Sequence, residues 1–226
     1  MFLLVIMNKG HEQIWKMNKE EWEGYTTNYI KYALPIIKKN KVEKILDLGC
    51  GPCEGGAFLL KEKKYDVYAF DASKTAIKKC SKKIEKKKLT IGNMYEKLPY
   101  ENNFFDCVIC FQAINHGTLK EIRNCFSEIS RILKKNGLFF LTTSSRDQIK
   151  KRKDYFIDLE DGKKWTYSEK NNSFTPLTGT EKGIKHYFFK RKEMKKEIEK
   201  IFIIQKMTEM ECMKHFIYAK NKKKYN

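Results

Sequence analysis

The sequence predicts an α/β fold in which helices cover both faces of a doubly wound, mostly parallel sheet of seven strands. Three observations predict it. Strand and helix patterns alternate from residue 42 to 143, a glycine-rich loop follows the first strand, and two strand patterns close the chain as an antiparallel hairpin. Alternation on this scale implies parallel strands joined by right-handed crossovers.

Five strand patterns lie in the alternating part of the chain. All are short and apolar, and the fourth is apolar enough to be buried on both faces. They are Val42–Leu48, Asp66–Phe70, Leu89–Ile91, Phe105–Phe111 and Leu138–Thr143. We expect these five to form the parallel part of the sheet.

Helix signals separate these strands. A helix is expected over residues 54–63, and Ser73 is the expected N-cap of the next one. Thr118 and Glu121 have the spacing of a capping box, which opens a third helix that Gly137 is expected to end.

The last third of the chain breaks the alternation. Residues 146–185 are polar and predict irregular structure, within a substrate-side insertion at about 146–190. A helix over Lys192–Lys200 follows, and then the closing strands Phe202–Met207 and Cys212–Lys220.

The N-terminal segment, residues 1–40, is predicted to be helical and to pack on a main domain of residues 41–226. Trp15, Trp22 and Tyr25 are expected to pack this segment onto the domain, and the alternative is that they form a lid over a bound ligand.

The net charge of +19 is compatible with a nucleic-acid partner. Lysines on solvated helix faces, as at 78–88, explain the charge more simply, so nucleic acid is the second candidate partner. No run of eighteen apolar residues exists, and no membrane partner is predicted.

The seven cysteines are an odd number, and several lie inside apolar runs. Cys107 and Cys110 fall in the fourth strand, and Cys125 falls on a helix. This usage is typical of reduced, buried thiols, and it predicts a cytoplasmic protein.

The segment Ile45–Gly55 carries the strongest chemical signal. A strand enters a loop with Gly49 and Gly51, whose glycines let the backbone approach a ligand closely. Asp71 ends the second strand twenty residues after Gly51, where a carboxylate suits the two ribose hydroxyls of an adenosine. The loop and the carboxylate must converge on one nucleoside, so the pair predicts a Rossmann-like nucleoside site.

Cys50-Gly-Pro-Cys53 has the letters of a thioredoxin redox site. The preceding Asp47-Leu-Gly and the nucleoside spacing of Asp71 disfavour a redox role. A metal site that pairs these thiols with Cys107 and Cys110 is disfavoured further, because residues three apart on a strand do not readily face one ion. No metal site is predicted.

From about Trp22 to Lys220 the sequence resembles the small class I S-adenosylmethionine-dependent methyltransferases of the type 11 or tellurite-resistance-like group. The first landmarks concern the cofactor, and the later ones define the subgroup without naming a substrate. They are Ile45–Gly55, Val67–Ser73, Gly92–Met94, Leu98–Asp106, Asn115–Thr118, Glu128–Gly137 and Glu181–Phe189.

The resemblance implies a cofactor, S-adenosyl-L-methionine, and a set of residues that hold it. Its methionine end would lie on the first loop, its ribose on the next carboxylate, its adenine after the third strand, and its sulfonium near the end of the fourth strand. In that order the residues are Asp47, Gly49 and Gly51; Asp71; Asn93 and Met94; and Phe111 and Gln112. Two residues depart from the family pattern, Cys53 for glycine and Asn93 for aspartate.

His116 and His186 are the candidate catalytic residues, as acid–base groups beside the acceptor. Packing or capping roles are about equally expected for both. The function implied is in-line methyl transfer to an unidentified small-molecule acceptor. The alternatives are an RNA methyltransferase, motivated by the charge, and a non-catalytic S-adenosylmethionine-binding protein, motivated by Cys53 and Asn93. A thioredoxin-like oxidoreductase ranks after these.

Overall fold

The computed structural model describes residues 27–53, 56–159, 162–179, 181–210 and 214–223. Within these ranges the helices are α1 (Thr27–Lys39), α2 (Gly56–Glu62), α3 (Lys74–Cys80), α4 (Leu119–Ile132) and α5 (Arg191–Glu199). The strands are β1 (Lys44–Leu48), β2 (Asp66–Asp71), β3 (Leu89–Ile91), β4 (Phe105–Phe111), β5 (Leu133–Ser144), β6 (Ile149–Lys151), β7 (Phe156–Asp158), β8 (Lys164–Ser168), β9 (Ser173–Pro176), β10 (Phe202–Met210) and β11 (Lys214–Asn221).

The main sheet has seven strands in the order β10-β11-β5-β4-β1-β2-β3. Strands β1 to β5 pair in parallel, whereas β11 runs antiparallel to both β5 and β10. The predicted fold class, including the closing hairpin, is confirmed. The strand order reverses between β1 and β4, and a doubly wound sheet binds ligands beyond the carboxyl ends of the strands at such a point.

Two apolar layers cover the sheet. One face packs against α1, α2 and α3, and the other packs against α4 and α5. Side chains alternate between the layers along each strand, so β4 sends Val108 and Cys110 to one side and Cys107 and Ile109 to the other.

Both predicted helix starts are confirmed. The Ser73 hydroxyl accepts from the Ala76 backbone N–H at 3.1 Å and caps α3. Thr118 and Glu121 form the reciprocal capping box of α4. These bonds satisfy backbone donors that the first turn of a helix leaves unpaired.

The predicted end of α4 at Gly137 is wrong. The helix ends at Ile132, and Leu133 is already extended and pairs with Phe105 of β4. Asn136 takes the left-handed conformation, with φ of 58°. Glycine is needed at position 137 for a steric reason, because a Cβ there would lie 2.8 Å from the Lys134 carbonyl oxygen.

The predicted irregular insertion is also wrong. Strands β6, β7, β8 and β9 form a four-stranded antiparallel sheet in sequence order. Its small core contains Ile149, Trp165, Phe174 and Phe188. Because the strands are three to five residues long and carry many charges, their alternation is too weak to recognise in the sequence.

Helix α1 agrees with the helical structure predicted for the N-terminal segment. Its Tyr29, Ile30, Ala33 and Ile37 pack on the sheet. The predictions for Trp15, Trp22 and Tyr25 lie outside the described residues. Among the helices described, none combines the length and apolarity needed to cross a bilayer.

Asn221 ties the last strand to the junction between α4 and β5. Its buried amide nitrogen donates to the carbonyls of Ser130, Leu133 and Lys134, and its oxygen accepts from the Ser130 hydroxyl at 2.8 Å. We expect Asn221→Ala to lower the free energy of unfolding by about 2 kcal/mol, because buried acceptors lose their donor. Urea denaturation measures this. Gln205→Ala, on an exposed position of β10, is the control and should change stability by less than about 0.5 kcal/mol.

Candidate functional site

The loop after β1 lies against the carboxyl ends of β2 and β4. The Gly49 N–H donates to the Phe70 carbonyl at 2.8 Å, with Gly49 at a φ of 79°. A Cβ on Gly49 would lie 2.4 Å from the Cβ of Ala113, just after β4, and 3.1 Å from Cε of Met94. Only glycine fits this contact with Ala113, and the predicted close approach of the Gly49 backbone to a ligand stays a prediction.

Gly51 and Asp71 converge, as their spacing predicts. The Gly51 N–H donates to Oδ2 of Asp71 at 2.9 Å, and the Ser73 N–H donates to Oδ1 at 2.9 Å. The carboxylate at the end of β2 therefore holds both the glycine loop and the start of α3. Asp71 is buried, with 6% of its surface exposed.

Asp47, on β1, is a second buried carboxylate beside this loop. It accepts from the Ala57 N–H at 2.7 Å, and no ion pair to it occurs within the described residues. Burial raises its pKa to about 7, and the nearby Asp71 adds to the rise, while the Ala57 hydrogen bond opposes it. A buried carboxylate of this kind is suited to a cationic ligand.

Asn93 and Met94 follow β3 and lie on the same side of the sheet as the loop. The Asn93 side chain accepts from the Tyr95 N–H at 3.0 Å and donates to Glu96 at 3.2 Å. Gly92 donates to the Asp71 carbonyl at 3.0 Å. Met94 therefore lies next to Gly49, whereas the Asn93 amide forms hydrogen bonds within its own turn.

Phe111 and Gln112 separate at the end of β4. The Phe111 ring turns toward α1 and lies 5.7 Å from the ring of Tyr29. Gln112 has a φ of 54°, and its N–H donates to Oγ1 of Thr142 at 3.0 Å. Its Nε2 is buried and has no hydrogen-bond partner within the described part of the chain. Of the two, Gln112 is the one whose side chain can still bind a ligand.

His116 and His186 come together across 70 residues of sequence. Their ring centroids are 4.6 Å apart, and Nε2 of each lies 3.6 Å from a different carboxylate oxygen of Glu181. Burial opposes ionisation of Glu181, but the two histidines outweigh it and hold the pKa of this carboxyl well below its usual range. Burial, with the neighbouring His116, lowers the pKa of His186.

Glu181 was not among the candidate site residues. It lies five residues before His186 in the segment Glu181–Phe189, and this proximity is the sequence feature that could have identified it. A glutamate in a lysine-rich segment is expected at the surface, so the sequence gives no other indication that Glu181 lies between two histidines.

Residues 46–141 match the family model described as "Methyltransferase domain". The match runs from β1 into β5 and includes the glycine loop, Asp71 and the end of β4. Within these residues the chain is similar to methyltransferase domains.

Other proteins are similar to this chain in sequence. An uncharacterized protein of Methanocaldococcus jannaschii is 29% identical over 128 residues, which are 55% of this chain and 52% of that protein. The chain spans about half the length of the first curated relatives it matches.

Two solved structures share the fold. The CcbJ methyltransferase of Streptomyces caelestis has a TM-score of 0.69 at 12% identity, over 94% of this chain and 97% of that one. An S-adenosylmethionine-dependent methyltransferase of Clostridium acetobutylicum has a TM-score of 0.59 at 14% identity, over 91% and 92%.

A disulfide links the glycine loop after β1 to α3. Cys53 pairs with Cys80, so the expectation that all seven cysteines are reduced is wrong. The two lie 27 positions apart in the sequence, and only the packing of α3 against the loop brings them together. Cys53 has a φ of 56°, a left-handed conformation that explains why the family usually has glycine there.

Cys50 remains a free thiol beside this disulfide, with its Sγ 3.9 Å from that of Cys80. Burial, together with Asp71 and Asp47, raises the pKa of the Cys50 thiol. Redox-active CXXC thiols have lowered pKa values, so the environment does not favour the thioredoxin-like alternative. Cys107 and Cys110 lie on opposite faces of the sheet and do not converge with this cluster.

The disulfide makes the stability of the domain sensitive to reductant. Because it closes a segment of 27 positions, reduction is expected to lower the free energy of unfolding by about 3 kcal/mol. Urea denaturation with and without a phosphine reductant measures the difference. Under reduction, Cys53→Gly should be about 1 kcal/mol more stable than Cys53→Ala, since glycine accepts the left-handed backbone.

The matched variants are Cys50→Ser and Cys80→Ser. The first should keep the sensitivity to reductant, and the second should lose it. Identical unfolding curves for the wild-type protein in both buffers would contradict the assignment of this disulfide.

Proposed function

We propose that this protein is an enzyme that transfers the methyl group of S-adenosylmethionine to a small-molecule acceptor. The observation that carries the proposal is the hydrogen bond from the Gly51 N–H to Asp71. It joins the glycine loop to the carboxylate expected to bind ribose, next to the point where the strand order reverses. The methyltransferase family match over residues 46–141 supports it.

The residues around the loop fit this cofactor. Asp47 is a buried carboxylate that suits the ammonium of the methionine moiety, and the cradle at Gly49 excludes any side chain. Asp71 would accept from the ribose hydroxyls, and Asn93 and Met94 would contact the adenine. When bound, S-adenosylmethionine supplies a methyl group already activated on a sulfonium, so the chain itself has mainly to align the acceptor and exclude water.

Gln112 and the histidine pair would act on the acceptor side. The buried Nε2 of Gln112 is a donor for an acceptor carbonyl or hydroxyl. The side chain of His116 is 14% exposed and can take a proton from the methyl acceptor. Glu181 then stabilises the resulting imidazolium. His186 is almost wholly buried and holds Glu181 in place.

An RNA acceptor is the second candidate, because the chain carries a net charge of +19. Exposed lysines cluster around α3 and the turn at Lys86–Lys88. RNA binding through them would weaken steeply as salt rises, whereas a small-molecule acceptor would show little salt dependence. An acceptor screen at two salt concentrations separates the two classes.

Loss of the Asp71 charge should remove cofactor binding without unfolding the domain. We expect Asp71→Asn to weaken S-adenosylhomocysteine binding about 100-fold, because the amide has no charge and keeps only one accepting oxygen. Isothermal titration calorimetry measures the affinity. Asp154→Asn, at an exposed position, is the matched control and should bind like the wild-type protein. Equal affinities in the two variants would overturn the placement of the ribose at Asp71.

The raised pKa of Asp47 predicts that binding of the cofactor product releases a proton. A pKa of about 7, against 3.8 in an unfolded chain, means that the folded protein holds this proton more tightly. The stability that Asp47 contributes is therefore present at low pH and is lost as pH rises toward 7. A ligand ammonium favours the ionised carboxylate, so S-adenosylhomocysteine should bind about eightfold more tightly at pH 7.5 than at pH 6.

Calorimetry in buffers with different ionisation enthalpies counts the released proton. Asp47→Asn should bind more weakly and with no proton release. A pH-independent affinity of the wild-type protein would show that Asp47 does not meet the ammonium.

A further inference from the structure

The three side chains His116, Glu181 and His186 form a compact set of donor atoms. His116 ends the turn Ile114–His116 that follows β4, while the other two lie between β9 and α5. One oxygen of Glu181 faces each imidazole, at 3.6 Å in both cases, and the three donor atoms lie within 4.8 Å of one another. Two imidazoles and one carboxylate are a common ligand set for transition metals in proteins.

The distances in this set suit a shared ion better than direct hydrogen bonds. A nitrogen–oxygen hydrogen bond is about 2.7–3.2 Å long, and both contacts exceed that range. Bonds of about 2.0–2.2 Å to a tetrahedral ion place neighbouring ligand atoms about 3.3–3.6 Å apart. The observed 3.6 Å separations therefore leave room for one ion between the three side chains.

The hydrogen bond on the far side of His186 prepares this ring as a ligand. Its Nδ1 lies 3.0 Å from the Ile184 carbonyl oxygen, which can only accept, so Nδ1 carries the proton. In the neutral ring Nε2 then presents its lone pair to Glu181. Two acceptors that face each other repel unless a proton or a metal ion lies between them, and a backbone carbonyl behind the ring is the support that metal-binding histidines usually have.

The surroundings hold the two histidines of the cluster in place. His186 is 2% exposed, and its ring lies 4.8 Å from that of Trp165. Its backbone pairs with Phe174 in both directions, at 2.7 and 2.8 Å. The Tyr187 N–H donates to the Asn115 carbonyl at 2.8 Å, which joins this segment to the turn that bears His116. These contacts thus fix the two histidines relative to each other before any ion binds.

We propose that His116, Glu181 and His186 bind one divalent transition-metal ion, of which Zn²⁺ is the best match. Nitrogen ligands disfavour Mg²⁺ and Ca²⁺, which take oxygen. Three protein ligands leave a fourth position open for the methyl acceptor. This site replaces the expectation of no metal, and its role rests on the proposed function.

The metal defines a class of acceptor, namely a small molecule with an ionisable oxygen or sulfur atom that can coordinate it. Coordination lowers the pKa of that atom, and its proton leaves to solvent. The acceptor lone pair then forms a bond to the methyl carbon as the sulfonium–methyl bond breaks, and S-adenosylhomocysteine leaves as a neutral thioether. In this mechanism the histidines are metal ligands, and the metal ion rather than a histidine activates the methyl acceptor.

Zinc titration of the full-length protein tests the site. The protein is dialysed against EDTA and carries Cys50→Ser with the Cys53–Cys80 disulfide intact, so that thiols do not bind the ion. Calorimetry should find one Zn²⁺ per chain with a Kd of about 1 µM or below, and no binding of Mg²⁺. Co²⁺ should give the visible absorption bands of a four-coordinate ion.

The near-isosteric variants Glu181→Gln and His186→Gln should bind Zn²⁺ at least about 100-fold more weakly. His215→Gln, at a buried histidine of β11, is the control and should bind normally. Circular dichroism checks that the variants fold, and His116→Gln replaces His186→Gln if the latter does not. An absence of Zn²⁺ binding, or equal binding by all the variants, would overturn the proposal.

A parallel titration with S-adenosylhomocysteine separates this inference from the proposed function. Cofactor binding without Zn²⁺ binding would leave methyl transfer standing and remove the metal. Zn²⁺ binding without cofactor binding would support the metal site and remove its role in methyl transfer.

Discussion

The hydrogen bond from the Gly51 N–H to the buried carboxylate of Asp71 is the contact on which the site depends. It fixes the loop after β1 to the end of β2, and the second oxygen of Asp71 fixes the start of α3 through Ser73. A buried carboxylate must be satisfied by donors, and here backbone N–H groups supply them. The loop, the second strand and the following helix are therefore held in one arrangement before a ligand binds.

A covalent link reinforces the same arrangement. Cys53 occupies a left-handed position where the family usually has glycine, and its bond to Cys80 ties the loop to α3. The cysteine costs about 1–2 kcal/mol in backbone conformation, and the cross-link offsets this by restricting the unfolded chain. With cysteine in place of glycine, the loop loses the conformational freedom of a glycine and is fixed to α3 by the disulfide.

The charges of the interior oppose those of the surface. The chain carries a net charge of +19, yet the candidate site collects the carboxylates Asp47, Asp71 and Glu181. Carboxylates at these positions are suited to the ammonium and sulfonium of the proposed cofactor and to the proposed metal cation. The basic surface is largely separate from that chemistry, since lysine heads remain in water while their stems cover apolar surface.

The sequence by itself determined the parallel part of the sheet, the caps of α3 and α4, and the convergence of Gly51 with Asp71. Each of these depends on residues close in sequence or on strands that follow one another, so local patterns carry the information. Only the tertiary structure decided the second sheet, the Cys53–Cys80 pairing and the place of Glu181 between two histidines. The second sheet joins consecutive strands that are too short and too charged to leave a periodic pattern in the sequence, whereas the disulfide and the histidine cluster join segments tens of residues apart. Contacts of that kind depend on how layers pack, which no local pattern encodes.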